Sequence, residues 1–320
     1  MSNLRRFSAS KNNERTKDMA NTINYAEQFS QFLVQKYEAE QRSYGLTQSN
    51  PQVQWLNAKT IKLPVVTLTG YKDHTRSIGF NAGNLTNTWE AKTLAFDRDV
   101  EFFVDAMDVD ETNMVASVAN IQTVFEREQA IPETDAYRFS KLFAEFVTKG
   151  GTVNTTTLTT ANFLDWFDTA MEGMDDAGVP EEGRLLYLTP AMYKVAKNAQ
   201  GITRYMTLNP NNGQVNRKVW DLDDVEIVKV PSARMKTAYD FTTGFTPATT
   251  AGQINCIAVH PDSVVARERY AYIKMFAPGT DSRTGDGYIY QNRKYGDLFV
   301  LNQRLAGIAI NANKAGIASS

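Results

Sequence analysis

The sequence predicts an α+β fold, because helical and strand periodicities occupy separate stretches of the chain. Apolar residues at helical spacing run through residues 24–40 and 114–146. Alternation with a period of two marks residues 94–104, and residues 254–312 are mostly strand-like. At 320 residues the chain is long enough for two domains and more than one hydrophobic core.

Composition excludes several classes of protein. The formal net charge of -2 argues against a protein whose main task is to grip nucleic acid electrostatically. The single cysteine, Cys256, is expected to be a buried strand residue, so no intramolecular disulfide forms and a reducing cytosol fits. No run of about 18 apolar residues exists, so no membrane partner is expected. The basic start before Met19 lacks the apolar core of a signal peptide; it is a flexible arm, or an upstream start or tag remnant.

The first half of the chain predicts an N-terminal helix, a long β-hairpin and a long helical region. The helix covers Asn24–Glu40. The hairpin is formed by a strand at Ile61–Gly70 and a return strand at Leu94–Val104, around a soft turn with Gly79 and Gly83. The return strand places apolar residues on one face (Leu94, Phe96, Val100, Phe102, Val104) and carboxylates on the other (Asp97, Asp99, Glu101, Asp105).

Further elements follow in order. The helical region starts near Met114, and Pro132 either begins a fresh helix or kinks the old one. Residues 148–160, rich in Gly and Thr, are a linker and a plausible domain boundary. A helix over residues 160–178, a strand leading into a helix capped by Thr189, and a strand ending at Pro231 come next.

The search for catalytic chemistry finds little. His74 and His260 are the only histidines, too few for a multi-histidine metal site. The carboxylates at residues 108–111 and 221–224 are better explained as turn and capping groups than as cation ligands. No glycine-rich phosphate loop or nucleophile elbow occurs. We therefore predict no catalytic, metal or cofactor-binding residue.

The predicted hairpin is too long for one domain. Strands of roughly 15 residues reach about 50 Å at about 3.3 Å per residue. A domain core is only about 30 Å across. Such a hairpin must leave its own domain and needs a partner for its apolar stripe, most simply another copy of the chain. This favours an assembly protein over an enzyme.

Four stretches, in this order and spacing, resemble the major capsid proteins of tailed bacteriophages, which share the Hong Kong 97-type coat fold. They are EREQAIPETDAYRFSKL (126–142), RLLYLTPAMYKVAKN (184–198), VWDLDDVEIVKVPSARM (219–235), and INCIAVHPDSVVA with YIYQNRKYGDLFVLNQRLAGI (254–266 and 288–308). The resemblance covers nearly all of residues 22–312, although each motif alone is mostly structural.

The resemblance implies a domain organisation. It comprises an N-terminal arm (1–59), an extended β-hairpin or E-loop lying over a neighbouring subunit (60–107), a peripheral domain with a long spine helix (108–149 and 252–320), and an axial domain (150–251).

The resemblance also implies a function. The chain is expected to be a structural coat protein that self-assembles as pentamers and hexamers into an icosahedral virion capsid enclosing double-stranded DNA, formed in the bacterial cytoplasm. Separate scaffolding, portal and decoration proteins are possible further partners. The residues expected to touch neighbouring subunits, each of which could instead pack in its own chain, are Phe29, Leu33, Tyr71, Trp89, Phe96 and Phe102.

Two family features are open. In some members a covalent bond between a lysine and an asparagine of different subunits cross-links the shell. Lys72 and Lys92 lie in the hairpin, but no motif identifies the other residues of such a bond. We therefore expect a non-covalent shell. About 50 residues before the hairpin are too few for a long scaffolding segment followed by an arm. We therefore expect any scaffolding to be a separate protein.

Two alternatives remain. One is an encapsulin-type compartment shell, which has the same fold, a cellular host and an enzyme cargo. The other is a cytosolic α/β hydrolase that uses His260 with a carboxylate such as Asp224.

Overall fold

The computed structural model describes most of the chain beyond the N-terminal segment. The described residues are 40–47, 54–57, 59–74, 81–107, 118–199, 207–208, 215–216, 219, 221–279 and 285–316. The predicted N-terminal helix at 24–40, the predicted start of the helical region near Met114 and the carboxylates at 108–111 lie outside them, apart from Glu40.

The described part contains α-helices and strands in separate blocks, as predicted. The helices are Val118–Phe125 (α1), Ile131–Thr148 (α2), Phe163–Asp176 (α3) and Pro190–Lys197 (α4). The strands are Gln54–Trp55 (β1), Thr60–Leu68 (β2), Leu85–Thr93 (β3), Phe96–Val104 (β4), Leu185–Leu188 (β5), Thr207–Leu208 (β6), Val215–Asn216 (β7), Asp221–Leu222 (β8), Val225–Lys229 (β9), Tyr239–Asp240 (β10), Thr246–Pro247 (β11), Ile254–Val259 (β12), Val264–Phe276 (β13), Tyr288–Val300 (β14) and Ile308–Ala312 (β15). None of the described helices is long and apolar enough to cross a membrane.

Three sheets organise the molecule. A five-stranded sheet, β15-β12-β5-β9-β8, is antiparallel except for the parallel pair β5–β9. A three-stranded antiparallel sheet has the order β13-β14-β4, and another, β1-β2-β3, contains the hairpin. Short two-stranded ladders join β6 to β7 and β10 to β11.

A long helix runs through a proline. α1 continues into a π-helical turn at Glu126–Ala130 and then into α2, and the Ile131 N–H donates to the Glu126 carbonyl. Pro132 cannot donate a backbone hydrogen bond, so it fits at the first turn of α2 beside this wider turn. The helical run is therefore continuous from Val118 to Thr148, about 45 Å at about 1.5 Å per residue.

The main core lies between α2 and the sheets. Phe139, Leu142 and Phe143 of α2 are fully buried and pack with residues of β12 to β15. A second core joins α3 and α4 to the opposite side of the five-stranded sheet, with Phe163 and Phe167 fully buried. One chain thus has more than one core, as its length predicts.

Several local predictions are confirmed. Thr189 begins α4, where its hydroxyl accepts from the Met192 N–H, and Pro190 occupies the first turn. Cys256 is fully buried in β12. The strand before Pro231 is β9. The predicted strand over the tail is interrupted by a 3-10 turn at Asn302–Gly307.

The prediction that Leu94–Val104 forms the return strand of the hairpin is wrong. β2 pairs with β3, from Thr60 opposite Thr93 to Leu68 opposite Leu85, whereas β4 pairs with β14 in the three-stranded sheet. The chain changes sheets at Leu94 and Ala95, whose N–H groups donate to the Lys59 carbonyl and the Asp297 carboxylate. Each hairpin strand has nine residues, so the paired strands reach about 30 Å and not about 50 Å.

A buried carboxylate joins three distant parts of the chain. Asp135 in α2 is fully buried and accepts from the Arg234 guanidinium at 3.0 Å. It also accepts from the backbone N–H groups of Arg42 and Ser43 at 3.0 Å. Asp135 and Arg234 lie in two of the motifs that carried the resemblance, and the 3-10 helix Ser43–Thr47 is fixed to them. This cluster therefore fixes residues 42–47 against α2 and the turn that carries Arg234.

We expect Asp135→Asn to lower the free energy of unfolding of the free chain by about 3–5 kcal/mol, because it leaves the Arg234 charge buried without its partner. Urea unfolding measures the change. The matched control is Asp97→Asn, which breaks a pair with Arg293 whose side chains are 37% and 51% exposed. Exposed pairs contribute about 0–1 kcal/mol, so equal losses in both variants would contradict a structural role for the buried cluster.

Candidate assembly surface

The outer part of the β2–β3 hairpin is exposed throughout the residues that the structure describes. Every described residue from Val66 to Trp89 is exposed, on both faces of the ladder. A two-stranded ribbon alone in water is marginally stable. We call β2, β3 and the described residues of their connection, 69–74 and 81–84, the ribbon.

The two faces of the ribbon differ in chemistry. Directly paired residues of an antiparallel ladder share a face. Leu68 pairs with Leu85, and Val66 and Trp89 lie on that same face by the period of two. The exposed fractions of these residues are 46% for Val66, 68% for Leu68, 68% for Leu85 and 42% for Trp89. We name these four residues the apolar face. The other face of the outer ribbon carries Thr67, Thr86 and Thr88.

The base of the ribbon fixes its orientation. Ile61 and Leu63, on the threonine side of the ladder, are buried against Leu94, Val265 and Phe299. Because the body packs against that side, the apolar face is turned away from the body of its own chain. The base of the ribbon is therefore covered by its own chain, whereas the apolar face of its outer half is exposed.

The predicted contact residues fall into three groups. Trp89 lies on the apolar face, and Tyr71, beyond the end of β2, is fully exposed. Phe29 and Leu33 lie outside the described residues. Phe96 and Phe102 are half-buried within the chain: Phe96 stacks on Tyr137 at 3.8 Å between ring centroids, and Phe102 meets Phe125 edge-on at 5.4 Å.

Phe96 and Phe102 also line a cleft between β4 and the long helix. The cleft has a volume of about 360 Å³, and Thr243 and Gly244 of the loop at Phe241–Gly244 line part of it. Arg98 also lines the cleft, and its guanidinium donates to Glu133 and to the Phe241 carbonyl, both at 2.6 Å. Burial raises the pKa of Glu133 although the Arg98 charge opposes it. The two phenylalanines therefore keep one side open to the cleft.

Val66, Leu68 and Leu85 were missed by the sequence analysis. Their signal was present, since Leu85, Asn87 and Trp89 alternate with threonines and Glu90. The Asn and Thr content of this stretch favoured a turn, which hid its period of two.

Residues considered for catalysis have other roles. The His260 ring uses both nitrogens on backbone groups: Nδ1 accepts from the Asp262 N–H, and Nε2 lies 3.2 Å from the Glu182 carbonyl. Asp223 and Asp224 form the exposed two-residue turn between β8 and β9, with φ of 50° and 62°. Burial raises the pKa of the Cys256 thiol, which disfavours the reactive thiolate. Within the described ranges no cluster of three or more His, Cys, Asp or Glu is placed to hold a metal ion.

Known structures share this architecture. The mature capsid chain of bacteriophage PhiM1 matches with a TM-score of 0.62 at 12% identity, over 90% of this chain and 91% of that one. The capsid of cyanophage P-SCSP1u matches with 0.59 at 14% identity, over 90% and 92%. A structure from Mycobacterium phage Che8 gives 0.59 at 12% identity, over 91% and 98%. The chain has a phage capsid fold.

The likeness is one of shape and not of sequence. No protein-family model matches the chain, and no curated protein matches it. The phage capsid fold nevertheless extends over nine tenths of the chain in each of the three comparisons, so it is not confined to one domain.

We expect Leu68→Ser with Leu85→Ser to change the unfolding free energy of the free chain by less than about 0.5 kcal/mol, because both side chains are exposed there. Ile61→Ala, on the buried side of the same ladder, should cost about 2–5 kcal/mol. Urea unfolding of the unassembled chain compares the two. A loss in the serine variant as large as that in Ile61→Ala would mean that the apolar face already packs within its own chain.

Proposed function

We propose that the chain is a phage coat protein that self-assembles, as pentamers and hexamers, into an icosahedral shell around double-stranded DNA. The observation that carries the proposal is the exposed apolar face of the ribbon on a phage capsid fold. Enzymatic function has no comparable support, because His260, Cys256 and the turn carboxylates serve the fold.

The ribbon suits contacts between identical copies. It is anchored at its base and free beyond Val65, so it can lie across a neighbour while its own body stays in place. A patch that binds a different patch on the next copy forms a heterologous contact, and repetition of that contact around an axis closes a ring. The same arm can serve rings of five and six if its exposed outer half bends where it leaves the covered base.

The proposed partners and place follow from this function. The main partners of the chain are other copies of the same chain. Packaged DNA contacts the shell without sequence preference, in keeping with the net charge of -2. We place the protein in the virion capsid, assembled in the bacterial cytoplasm with separate scaffolding, portal and decoration proteins.

We propose a domain organisation adjusted to the sheets. The N-terminal arm ends at 59 and the extended loop covers 60–93, because β4 pairs with β14 and so belongs to the peripheral domain. Residues 94–149 and 252–320 form that domain, whose spine is the helical run ending at Thr148. Residues 150–251 form the axial domain, joined to the peripheral domain by the Asp135–Arg234 pair.

The experiment replaces the apolar face by Leu68→Ser, Leu85→Ser and Trp89→Ser together. We expect the purified variant to fold but to form no shells, because each lost apolar contact weakens every copy-to-copy interface in the particle. Sedimentation velocity and negative-stain microscopy, with and without the neighbouring gene products, measure the assembly of the unaltered and the variant chain.

The matched control changes the opposite face of the same ribbon by Thr67→Ala, Thr86→Ala and Thr88→Ala. This control should assemble like the unaltered chain. A monomer or dimer from the unaltered chain under every condition would overturn the proposed function. Normal shells from the serine variant would show that the apolar face is not the contact.

We expect the shell to be non-covalent. Lys92 pairs with Glu90 at 2.5 Å, and the Lys72 ammonium donates to the Ala82 carbonyl, so both of these lysines have a partner within the ribbon. Mature particles boiled in detergent and reductant should run as a single band of the 320-residue chain. A ladder of subunit multiples that disappears with Lys72→Arg or Lys92→Arg would contradict this and identify the lysine.

A further inference from the structure

The cleft between β4, β14 and the long helix is a second candidate site. Its floor includes Val100 and Phe102 of β4, together with Asn292 of β14, which pairs with Val100 and so shares that face of the sheet. Its opposite wall includes Phe125 and Ala130, at the two ends of the π-helical turn. Single π-helical turns within α-helices occur frequently at functional sites. The cleft therefore lies where the long helix departs from regular geometry.

The cleft has the size and the lining of a site for a small aromatic molecule. Its volume of about 360 Å³ lies at the lower end of the range of ligand pockets, roughly 300–1,000 Å³. Since an apolar cavity of about 150 Å³ already binds benzene, the cleft has room for two fused rings. Phe96, Phe102 and Phe125 all line the cleft, and aromatic rings pack favourably against one another in edge-on or offset arrangements.

The charged side chains at the cleft already have partners of opposite charge. Arg98 donates to Glu133 at 2.6 Å. Lys294 pairs with Glu126 at 3.0 Å. Asp99 also borders the cleft, but it is exposed and its side chain lies on the other face of β4 by the period of two. A charged ligand would add a buried charge without a partner, so the cleft favours an uncharged one.

One buried polar side chain in the cleft has an unused hydrogen-bonding atom. Asn292 is 4% exposed, and its amide nitrogen donates to the Glu126 carboxylate and to the Tyr290 hydroxyl. Because an ionised carboxylate only accepts hydrogen bonds, this contact fixes which end of the amide is the nitrogen. Among the residues that the structure describes, no donor reaches the amide oxygen. Buried acceptors are nearly always satisfied, so a donor on a bound molecule would complete this group.

We propose that the cleft binds an uncharged, flat aromatic small molecule of two fused rings, with one N–H or O–H donor for the Asn292 amide oxygen. The rings lie between Val100 of the floor and Ala130 of the wall, beside the aromatic side chains. Every group that holds the molecule comes from one chain, so the site is complete before assembly. The inference therefore goes beyond the proposed function and does not rest on it.

Indole is the probe for the test, because it has two fused rings, no charge and a single N–H donor. Isothermal titration calorimetry of the unassembled chain should show one binding site for indole. 1-Methylindole, which lacks the N–H, should bind about five- to tenfold more weakly, because the Asn292 oxygen then stays buried without a donor. In the variant Asn292→Leu the two probes should bind with equal affinity.

A pair of matched variants tests the location of the site. Val100→Phe fills the cleft and should abolish indole binding, whereas Val66→Phe, the same substitution on the exposed ribbon, should leave it unchanged. Thermal unfolding establishes that each variant folds, and the comparison of the two probes on the unaltered chain holds even if a variant does not. Absence of indole binding, equal affinity of the unaltered chain for both probes, or undiminished binding to folded Val100→Phe would overturn the site.

Assembled shells distinguish a free ligand from a side chain of another copy. Shells should bind indole as the unassembled chain does. Indole that binds the unassembled chain but is excluded from shells would assign the cleft to a neighbouring copy and overturn the proposed ligand. Failure of the chain to form shells would overturn the proposed function and leave the measurements on the unassembled chain to decide the site.

Discussion

The buried carboxylate of Asp135 is the constraint on which the arrangement of the chain depends. A fully buried charge is costly unless it is paired and hydrogen-bonded, and Asp135 meets that condition only when the long helix, the Arg234 turn and the chain at Arg42 and Ser43 come together. Displacing the Arg234 turn would separate the paired charges, and displacing the chain at Arg42 and Ser43 would remove two backbone donors from Asp135. Arg42 and Ser43 are therefore held against the long helix and the Arg234 turn at one defined point.

Defined contacts with the body also fix the base of the ribbon, whose apolar face is the proposed contact surface. β3 and β4 follow each other with only Leu94 and Ala95 between them, and both residues donate backbone hydrogen bonds to the body. The long helix covers β4 through Phe96 and Phe102, and Arg98 fastens the same strand to Glu133 and to the loop at Phe241. The base of the ribbon is thus continuous with a strand that is held in place by packed side chains and hydrogen bonds.

Much of the fold could be predicted from local patterns, and the rest depends on distant partners. Thr189 with Pro190, the buried run at β12 and the turn at Asp223–Asp224 are set by neighbours in sequence, and each was found. The alternation from Leu94 to Val104 correctly indicates that one face of this strand is buried, but it does not identify what buries it. The long helix covers that face, and the strand does not belong to the hairpin. The Asp135–Arg234 pair spans 99 residues and has no local signal. Of the exposed residues of the ribbon, Tyr71 and Trp89 were predicted as contact residues because aromatic side chains stand out in a polar stretch, whereas Val66, Leu68 and Leu85 needed the register of the ladder.

The central claim is that the apolar face of the ribbon is covered by another copy of the chain in an assembled shell. A cryo-electron microscopy reconstruction of the particle, at a resolution that shows side chains, tests it most directly. The account predicts that Leu68, Leu85 and Trp89 of each copy lie within about 4.5 Å of apolar atoms of a neighbouring copy. A particle in which these side chains face solvent, or fold back onto their own chain, would contradict it.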